Sequence, residues 1–485
     1  MRFGAAVLAA EAVLIAGIIN YVPYTEIDWK AYMEEVSGFL YGQLDYRKLS
    51  GNTGPLIYPG GFLWVYSILY YITSLGEDIQ FAQWIFAGVY LTTLALMLRF
   101  YTNAGLSWRV MLPLFFSKRI RSLYVLRLFN DCWAMLFLMV AVSLIAGGPA
   151  RNGGRVRHWV LGCFFISFAV SIKMSVLLFV PGMLYVMLRT LPFFKLVGCL
   201  CVCVAWQVLA ALPFLLHDSG AYISRGFELS STFQQRWSVN YQFLDSELFV
   251  SPKFSIALLI ATVAAWALVW RTRWANRTFL TSAEAKALRP VFRDVPQNTL
   301  AATIDDDEEM EKAEERRAYV AVVLTLFESN LIGVAFARPL HHQFYTWFFF
   351  TVPFLLSYTS YPRLLSLLAF VLIRQGFEQY PPTPQTSMLL QGGFVLALTG
   401  VIFFGRDTLS SPTKKSPKDR KSELKPLTKT DSAAAPPTKE AMHDGKQASP
   451  AKAAASTVRA KASKAKRGAP EPVAITAEKS FKKKK

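Results

Sequence analysis

Long apolar runs separated by short polar breaks fill the chain from its N-terminus to about position 405. Runs near 3–22, 79–101, 108–125, 131–147, 158–171, 174–188, 193–213, 253–271, 318–336, 346–358, 363–374 and 387–404 approach the ~20 residues a helix needs to cross hydrocarbon. The pattern predicts an all-α polytopic membrane protein with about twelve transmembrane helices. A further apolar stretch, 61–75, is short and interrupted by Tyr, Ser and Thr, and is expected to lie along or dip into one membrane face.

One break differs from the others. Residues 21–60 are polar and carry Glu26, Asp28, Glu34, Glu35 and Asp45 among aromatics, Gly and Pro. Carboxylates beside hydrocarbon are costly unless they sit in water or serve a function. From Trp29 onward the spacing Trp29, Tyr32, Met33, Val36 predicts an amphipathic surface helix.

Charge orients the chain. The segments RNGGRVR (151–157) and WRTRWANR (270–277) are short, strongly basic and flanked by spans, which marks them cytoplasmic. Span parity then puts both termini in the cytosol and the first large loop, 21–78, in the lumen. The 217–250 and 337–346 loops and the surroundings of Lys173 fall on the same luminal face. The sequon Asn276-Arg277-Thr278 lies in a loop assigned to the cytosol, out of reach of glycosylation. Residues 272–317, with the acidic run 305–315, read as a cytoplasmic linker.

Composition adds a second region. The 485 residues are 53% apolar and 18% charged, with mean hydropathy +0.30 and net charge +19. Residues 406–485 hold 21 Lys+Arg against 8 Asp+Glu, so +13 of that charge is in the tail. Rich in Lys, Ala, Ser and Pro, the tail is expected to be a disordered basic cytoplasmic segment, set apart from a transmembrane domain over 1–405. It suits anionic lipid headgroups; no folded reading element accompanies it, so no nucleic acid partner is expected. The terminal lysines, Lys482 and Lys483 among them, fit a cytosolic dilysine retrieval signal. Cys132, Cys163, Cys199, Cys201 and Cys203 all lie in apolar runs and suggest neither a disulfide framework nor a zinc site.

Candidate chemistry collects on the deduced luminal face. Glu26 and Asp28 follow the first span; two acids two residues apart point differently, so one can act while the other orients it or caps the helix. The segment SKRIRSLYVLRLFND (117–131) carries Lys118, Arg119, Arg121, Arg127, Asn130 and Asp131. So many cations near a span call for an anion, and phosphate suits the forked donors of arginine. Lys173 is a lone cation in VSIKMSVLL; RWSVN (236–240) contains Arg236; ARPLHHQFYTW (337–347) contains His341, His342 and Tyr345. Adjacent imidazoles diverge, which favours hydrogen bonds to a sugar or phosphate over metal chelation.

Five stretches together, YTEIDWKAYMEEV (24–36), LDYRKLSGNTGPLIYPGGF (44–62), SKRIRSLYVLRLFND (117–131), RWSVNYQFL (236–244) and HHQFYTWFFFTVPFLL (341–356), closely resemble one family. It is the dolichyl-phosphate-mannose-dependent α-1,3-mannosyltransferase of the asparagine-linked glycosylation pathway, and the resemblance runs in order through 1–405. It implies a GT-C glycosyltransferase fold in the endoplasmic reticulum membrane, with dolichyl-phosphate-mannose as donor and the five-mannose dolichyl-pyrophosphate-linked oligosaccharide as acceptor. It also implies a luminal carboxylate base, for which Asp28 leads because it begins the surface helix, with Glu26 second. A β-linked donor giving an α product requires inversion in one displacement. The phosphate leaving group needs only cationic support, so no metal or other cofactor is expected. Arg127, Arg119, Lys173 and Arg121 are the candidates for the donor phosphate. Trp29, Tyr58, Asn130, Asp131, Arg236, His341, His342 and Tyr345 are candidates for sugar or acceptor contacts. Another lipid-phosphate-sugar-dependent transferase, a transporter or lipid scramblase, and a scaffold subunit using the basic tail are the other readings; no internal repeat of the transporter kind is visible.

Overall fold

The computed structural model describes residues 2–147, 154–228, 234–288, 290–292 and 307–406. The basic tail from 407 onward, with its dilysine end, and the beginning of the acidic run lie outside the described residues. Apart from a two-stranded hairpin, β1 (Ser50–Gly51) and β2 (Gly54–Pro55), the described elements are helical.

Seven helices, not twelve, are long and apolar enough to cross a membrane, among the described residues. They are α1 (Arg2–Tyr21) and α4 (Ile79–Asn103), then Gly154–Ile172, Phe193–Gly226, Pro252–Thr272, Asp307–Ala335 and Pro384–Phe404. Gly60–Ile72 (α3), Asp131–Gly147 and Met174–Thr190 are shorter apolar helices. The expectation of a span at 108–125 fails on helix continuity. Pro113 sits in a 3-10 turn, Leu112–Phe115, and the helices on either side, Trp108–Met111 and Lys118–Val125, have 4 and 8 residues. At about 1.5 Å per residue neither approaches the hydrocarbon thickness. The expected span at 346–358 is likewise broken into a 3-10 turn, His342–Trp347, and a six-residue helix, Val352–Ser357. Residues 307–317, the end of the stretch read from sequence as a cytoplasmic linker, are helical and open the long helix Asp307–Ala335.

That helix is central: its apolar half, from Ala318 to Ala335, is buried almost throughout. Its Glu328 receives both nitrogens of Arg277, at 2.5 and 2.7 Å, and the Trp274 indole at 2.8 Å. Arg277 is therefore part of an internal ion pair, although its sequence neighbours read as a solvated basic loop.

The polar stretch after α1 folds back as the amphipathic helix α2 (Trp29–Leu40), burying Trp29, Ala31, Tyr32, Met33, Glu35 and Val36. The following hairpin leads into α3, which seats against Gly154–Ile172 and Phe193–Gly226. The glycine pair of YPGG permits this approach: a β-carbon at Gly60 would lie 2.6 Å from the Ala210 carbonyl oxygen, and one at Gly61 would collide with Ser171. Trp64 donates its indole N–H to the Ala210 carbonyl at 2.8 Å, fixing the same contact.

Candidate active site

The site is assembled from four segments that meet at the start of α2. Thr25 donates its backbone N–H to the Leu126 carbonyl at 3.0 Å, which ties the acidic loop to the cation-bearing segment. Gln83 of α4 holds the same segment through the Val125 carbonyl at 2.7 Å. Leu128 then turns the chain at φ +51, a left-handed conformation that a leucine adopts only when its surroundings impose it. The turn delivers Asn130 and Asp131, both fully buried, to the centre.

Lys173 meets them there. Its Nζ donates to Asn130 Oδ1 at 3.0 Å, lies 3.2 Å from Asp131 Oδ2 and stands 4.6 Å above the Tyr58 ring. The approach to Asp131 is a buried ion pair, and Asp131 Oδ2 has no other partner among the described residues. Asp131 Oδ1 accepts from the Trp347 indole at 2.5 Å. A lone lysine beside apolar turns can snorkel to the interface, but at 9% exposure Lys173 points inward to fixed partners.

Asp28, half-buried at the N-terminus of α2, faces this group. The Tyr32 hydroxyl lies 3.3 Å from Asp28 Oδ2 and 3.4 Å from Asn130 Oδ1, bridging the acid to the lysine-bearing cluster. Burial raises the Asp28 carboxyl above the usual carboxylate range; Lys173 and the Tyr32 hydroxyl pull it back, and Asp131 and Glu26 add to the rise. A carboxylate with raised proton affinity beside one cation is suited to taking a proton from a hydroxyl. Glu26 is differently placed. It is exposed, accepts from the Tyr24 hydroxyl at 2.7 Å and receives the Lys30 backbone N–H at 3.1 Å, where it caps the first turn of α2.

The cations of 117–131 have diverged in role. Arg121 makes a two-pronged pair with Glu11 of α1, at 2.9 and 2.6 Å, and also donates to the Phe115 carbonyl. Arg119 donates to the carbonyls of Phe377 and Glu378, both at 3.1 Å, at the end of Arg363–Glu378. Arg127 is half-buried and donates to the Ser122 hydroxyl, with no carboxylate partner among the described residues. Lys118 is exposed.

The two histidines connect the halves of the site. His341 lies within electrostatic reach of Lys173, and His342 of Arg119 and Arg127. Burial, with these cations adding, pushes both imidazoles down to about 4, so both are neutral at pH 7. His342 Nε2 donates to the Gln379 carbonyl at 2.8 Å, which sets its tautomer. The RWSVN segment supports this loop: Val239 N–H donates to the Leu340 carbonyl at 2.7 Å, Asn240 to the Ala337 carbonyl at 2.6 Å, and Ser238 and Asn240 accept the Leu340 N–H. Arg236 itself is exposed, over the ring of its neighbour Trp237 at 4.9 Å.

Two aromatic candidates are core residues. Trp29, 1% exposed, donates to the Gly76 carbonyl at 2.9 Å and packs on Tyr66 and Phe86. Tyr345 is fully buried, its ring stacked on Phe377 at 4.7 Å. Tyr58 alone combines an aromatic face with contact to the central lysine. Sequence reasoning missed Glu11, whose signal is a carboxylate inside an apolar run, and named the segments that hold Trp347, Ser238 and Asn240 without choosing those residues, each of which pairs with a partner remote in sequence. Among the described residues no three His, Cys, Asp or Glu side chains gather as a metal ion would need.

A family profile described as ALG3 protein matches residues 5–387. The Arabidopsis thaliana protein named Dol-P-Man:Man(5)GlcNAc(2)-PP-Dol alpha-1,3-mannosyltransferase is 38% identical over 405 residues, covering 82% of this chain and 87% of its own. The Homo sapiens protein of the same name is 40% identical over 390 residues, covering 79% and 82%. A Drosophila melanogaster relative, Dolichyl-P-Man:Man5GlcNAc2-PP-dolichol alpha-1,3-mannosyltransferase Alg3, is 35% identical over 449 residues, covering 82% and 86%. Among solved structures, ArnT from Cupriavidus metallidurans bound to undecaprenyl phosphate aligns over 82% of this chain and 76% of its own, at 15% identity and a TM-score of 0.37. That likeness is too distant to bear on the chemistry.

Proposed function

Because the chain belongs to the ALG3 protein family, we propose that it moves mannose from dolichyl-phosphate-mannose, in α-1,3 linkage, onto the five-mannose dolichyl-pyrophosphate-linked oligosaccharide. It is a glycosyltransferase of the endoplasmic reticulum membrane with a multi-pass helical architecture. The close match of relatives carrying that activity in their names, over about four-fifths of the chain, supports the reading most directly. The GT-C fold, the luminal position of the site and the cytoplasmic termini are part of the same proposal, as is independence from metals.

The proposed mechanism is one in-line displacement with inversion. Asp28 takes the proton from the acceptor 3-hydroxyl as that oxygen bonds to the mannosyl C1. The bond from C1 to the phosphate oxygen breaks, and its electron pair leaves with dolichyl phosphate. Tyr32 and Lys173 fix the Asp28 carboxylate and its field. Arg127, the arginine of 117–131 that has neither a carboxylate nor a carbonyl among its hydrogen bonds to the described residues, is the leading ligand for the departing phosphate, with Arg119 beside it. Asn130, whose buried Nδ2 has no hydrogen-bond partner among the described residues, and Tyr58 line the sugar side, with His341 and His342 at its edge.

The test is transfer by the purified protein from dolichyl-phosphate-mannose to defined lipid-linked acceptors, in chelator, followed by linkage mapping. A new α-1,3 mannose on the five-mannose acceptor is expected. A different linkage, or no transfer, rejects the reading.

A further inference from the structure

Glu35 is the buried acid that the mechanism above leaves unused. It lies on the inner face of α2, 4% exposed, and its Oε2 is enclosed with no hydrogen-bond partner among the described residues. Seven residues separate it from Asp28. At 100° per residue this falls about 20° short of two full turns, so both acids lie on one helical stripe, with Tyr32 between them. Their separation along the axis is about 10.5 Å. That exceeds the ~3 Å reach of proton transfer between hydrogen-bonded atoms, so Glu35 does not share the base's task, yet Lys173 and Tyr58 lie near both acids.

The groups facing it are Asp28 and Glu34 on its own helix, Lys173 across the site, and Tyr46 and Tyr58 from the loop after α2. None supplies the missing partner: the Tyr46 hydroxyl donates to the Tyr58 carbonyl at 3.1 Å, and Lys173 is held by Asn130 and Asp131. A buried carboxyl oxygen left unbonded is costly, and an apolar residue of similar shape would avoid the cost. The missing partner is then expected from outside the chain.

We propose that Glu35 is a sugar-contacting residue whose carboxyl hydrogen-bonds a hydroxyl of a bound hexose, about two helical turns from the reacting centre. The hydroxyl can come from the mannosyl donor or from the glycan of the acceptor, and the kinetics separate the two. Burial, with Asp28 and Glu34 adding and Lys173 opposing, pushes this carboxyl up to about 8, so it is protonated and able to donate at pH 7.

The assignment rests on the mannosyl-transfer reading. The experiment uses the full-length protein and its Glu35→Leu and Glu35→Gln variants, varying dolichyl-phosphate-mannose and the lipid-linked five-mannose acceptor separately. Glu35→Leu removes an unsatisfied polar group and is expected to fold as well as the wild type. Its KM should rise about 5- to 100-fold for one substrate, with a smaller change in kcat: the donor if Glu35 holds the mannosyl group, the acceptor if it holds the glycan. Glu35→Gln, a permanent donor, should stay near wild-type KM at pH 7. It should also lack the rise in KM that the wild type shows above about pH 8 as the carboxyl ionises. Unchanged KM for both substrates in Glu35→Leu overturns the assignment, as does a loss confined to kcat. A wild-type protein that transfers no mannose defeats the functional reading instead.

Discussion

Replacing Lys173 by Met separates what this lysine does for the fold from what it does for the chemistry. The side chain is 9% exposed and Asp131 fully buried, with 3.2 Å between their charged atoms. With Lys173→Met, Asp131 retains only the Trp347 indole among the described residues, and Asn130 Oδ1 keeps only the longer contact from the Tyr32 hydroxyl. Breaking a buried pair from one side costs about 3–5 kcal/mol, because the remaining charge is stranded. Adding Asp131→Asn removes that charge, and the double variant should recover more than half of the lost stability. Transfer should not recover, since Asp28 would still lack the one cation that opposes its burial. The assay pairs denaturant or thermal unfolding in detergent with mannose transfer from dolichyl-phosphate-mannose. A single variant within about 1 kcal/mol of wild type would contradict the energetic argument. A double variant that regained transfer along with stability would reduce Lys173 to a structural role.

Three further outcomes follow from the same geometry. Arg127→Met, which disturbs only a bond to Ser122, should leave the unfolding midpoint in place and raise the donor KM roughly tenfold or more, the loss of one charge-assisted hydrogen bond of about 1.5–3 kcal/mol; an unaltered donor KM would count against Arg127 as phosphate ligand. Arg121→Met should instead lower stability by about 3–5 kcal/mol by stranding Glu11, and the companion Glu11→Gln should restore much of it; a stable Arg121→Met enzyme with poor donor binding would reverse that assignment. Glu26→Gln keeps one acceptor oxygen for the Lys30 N–H and turns a donating NH2 toward the Tyr24 hydroxyl, so transfer should remain within about threefold of wild type, whereas a base contributes about 100-fold or more; a loss of that size would move the base from Asp28 to Glu26.

The parts of the site that were legible in the sequence are those whose chemistry is local. Glu26 and Asp28 stand out because acids after an apolar run need water or a task, and Asn130, Asp131 and Lys173 because polar groups in apolar surroundings need partners. Which partner each finds depends on contacts far apart in the chain. Arg121 and Arg127 read alike, and only the fold brings Glu11, 110 residues away, onto the first and leaves the second without a carboxylate. The span at 108–125 was expected from apolar content, but Pro113 and the cations at 118–121 divide it into short helices that hold the site's edge. Composition recorded the apolar residues without recording where the helix stops. Glu35 shows the same limit: its spacing from Asp28 was in view, while its enclosure by Tyr46, Tyr58 and Lys173 required the fold.

The most direct test of the account is Asp28→Asn, measured for mannose transfer and for donor binding in the same preparation. A neutral amide keeps the size of the side chain and its contact with Tyr32 but cannot accept the acceptor's proton. Transfer should fall by about 100-fold or more with donor binding and unfolding midpoint preserved. Transfer within about threefold of wild type would contradict a base at this position.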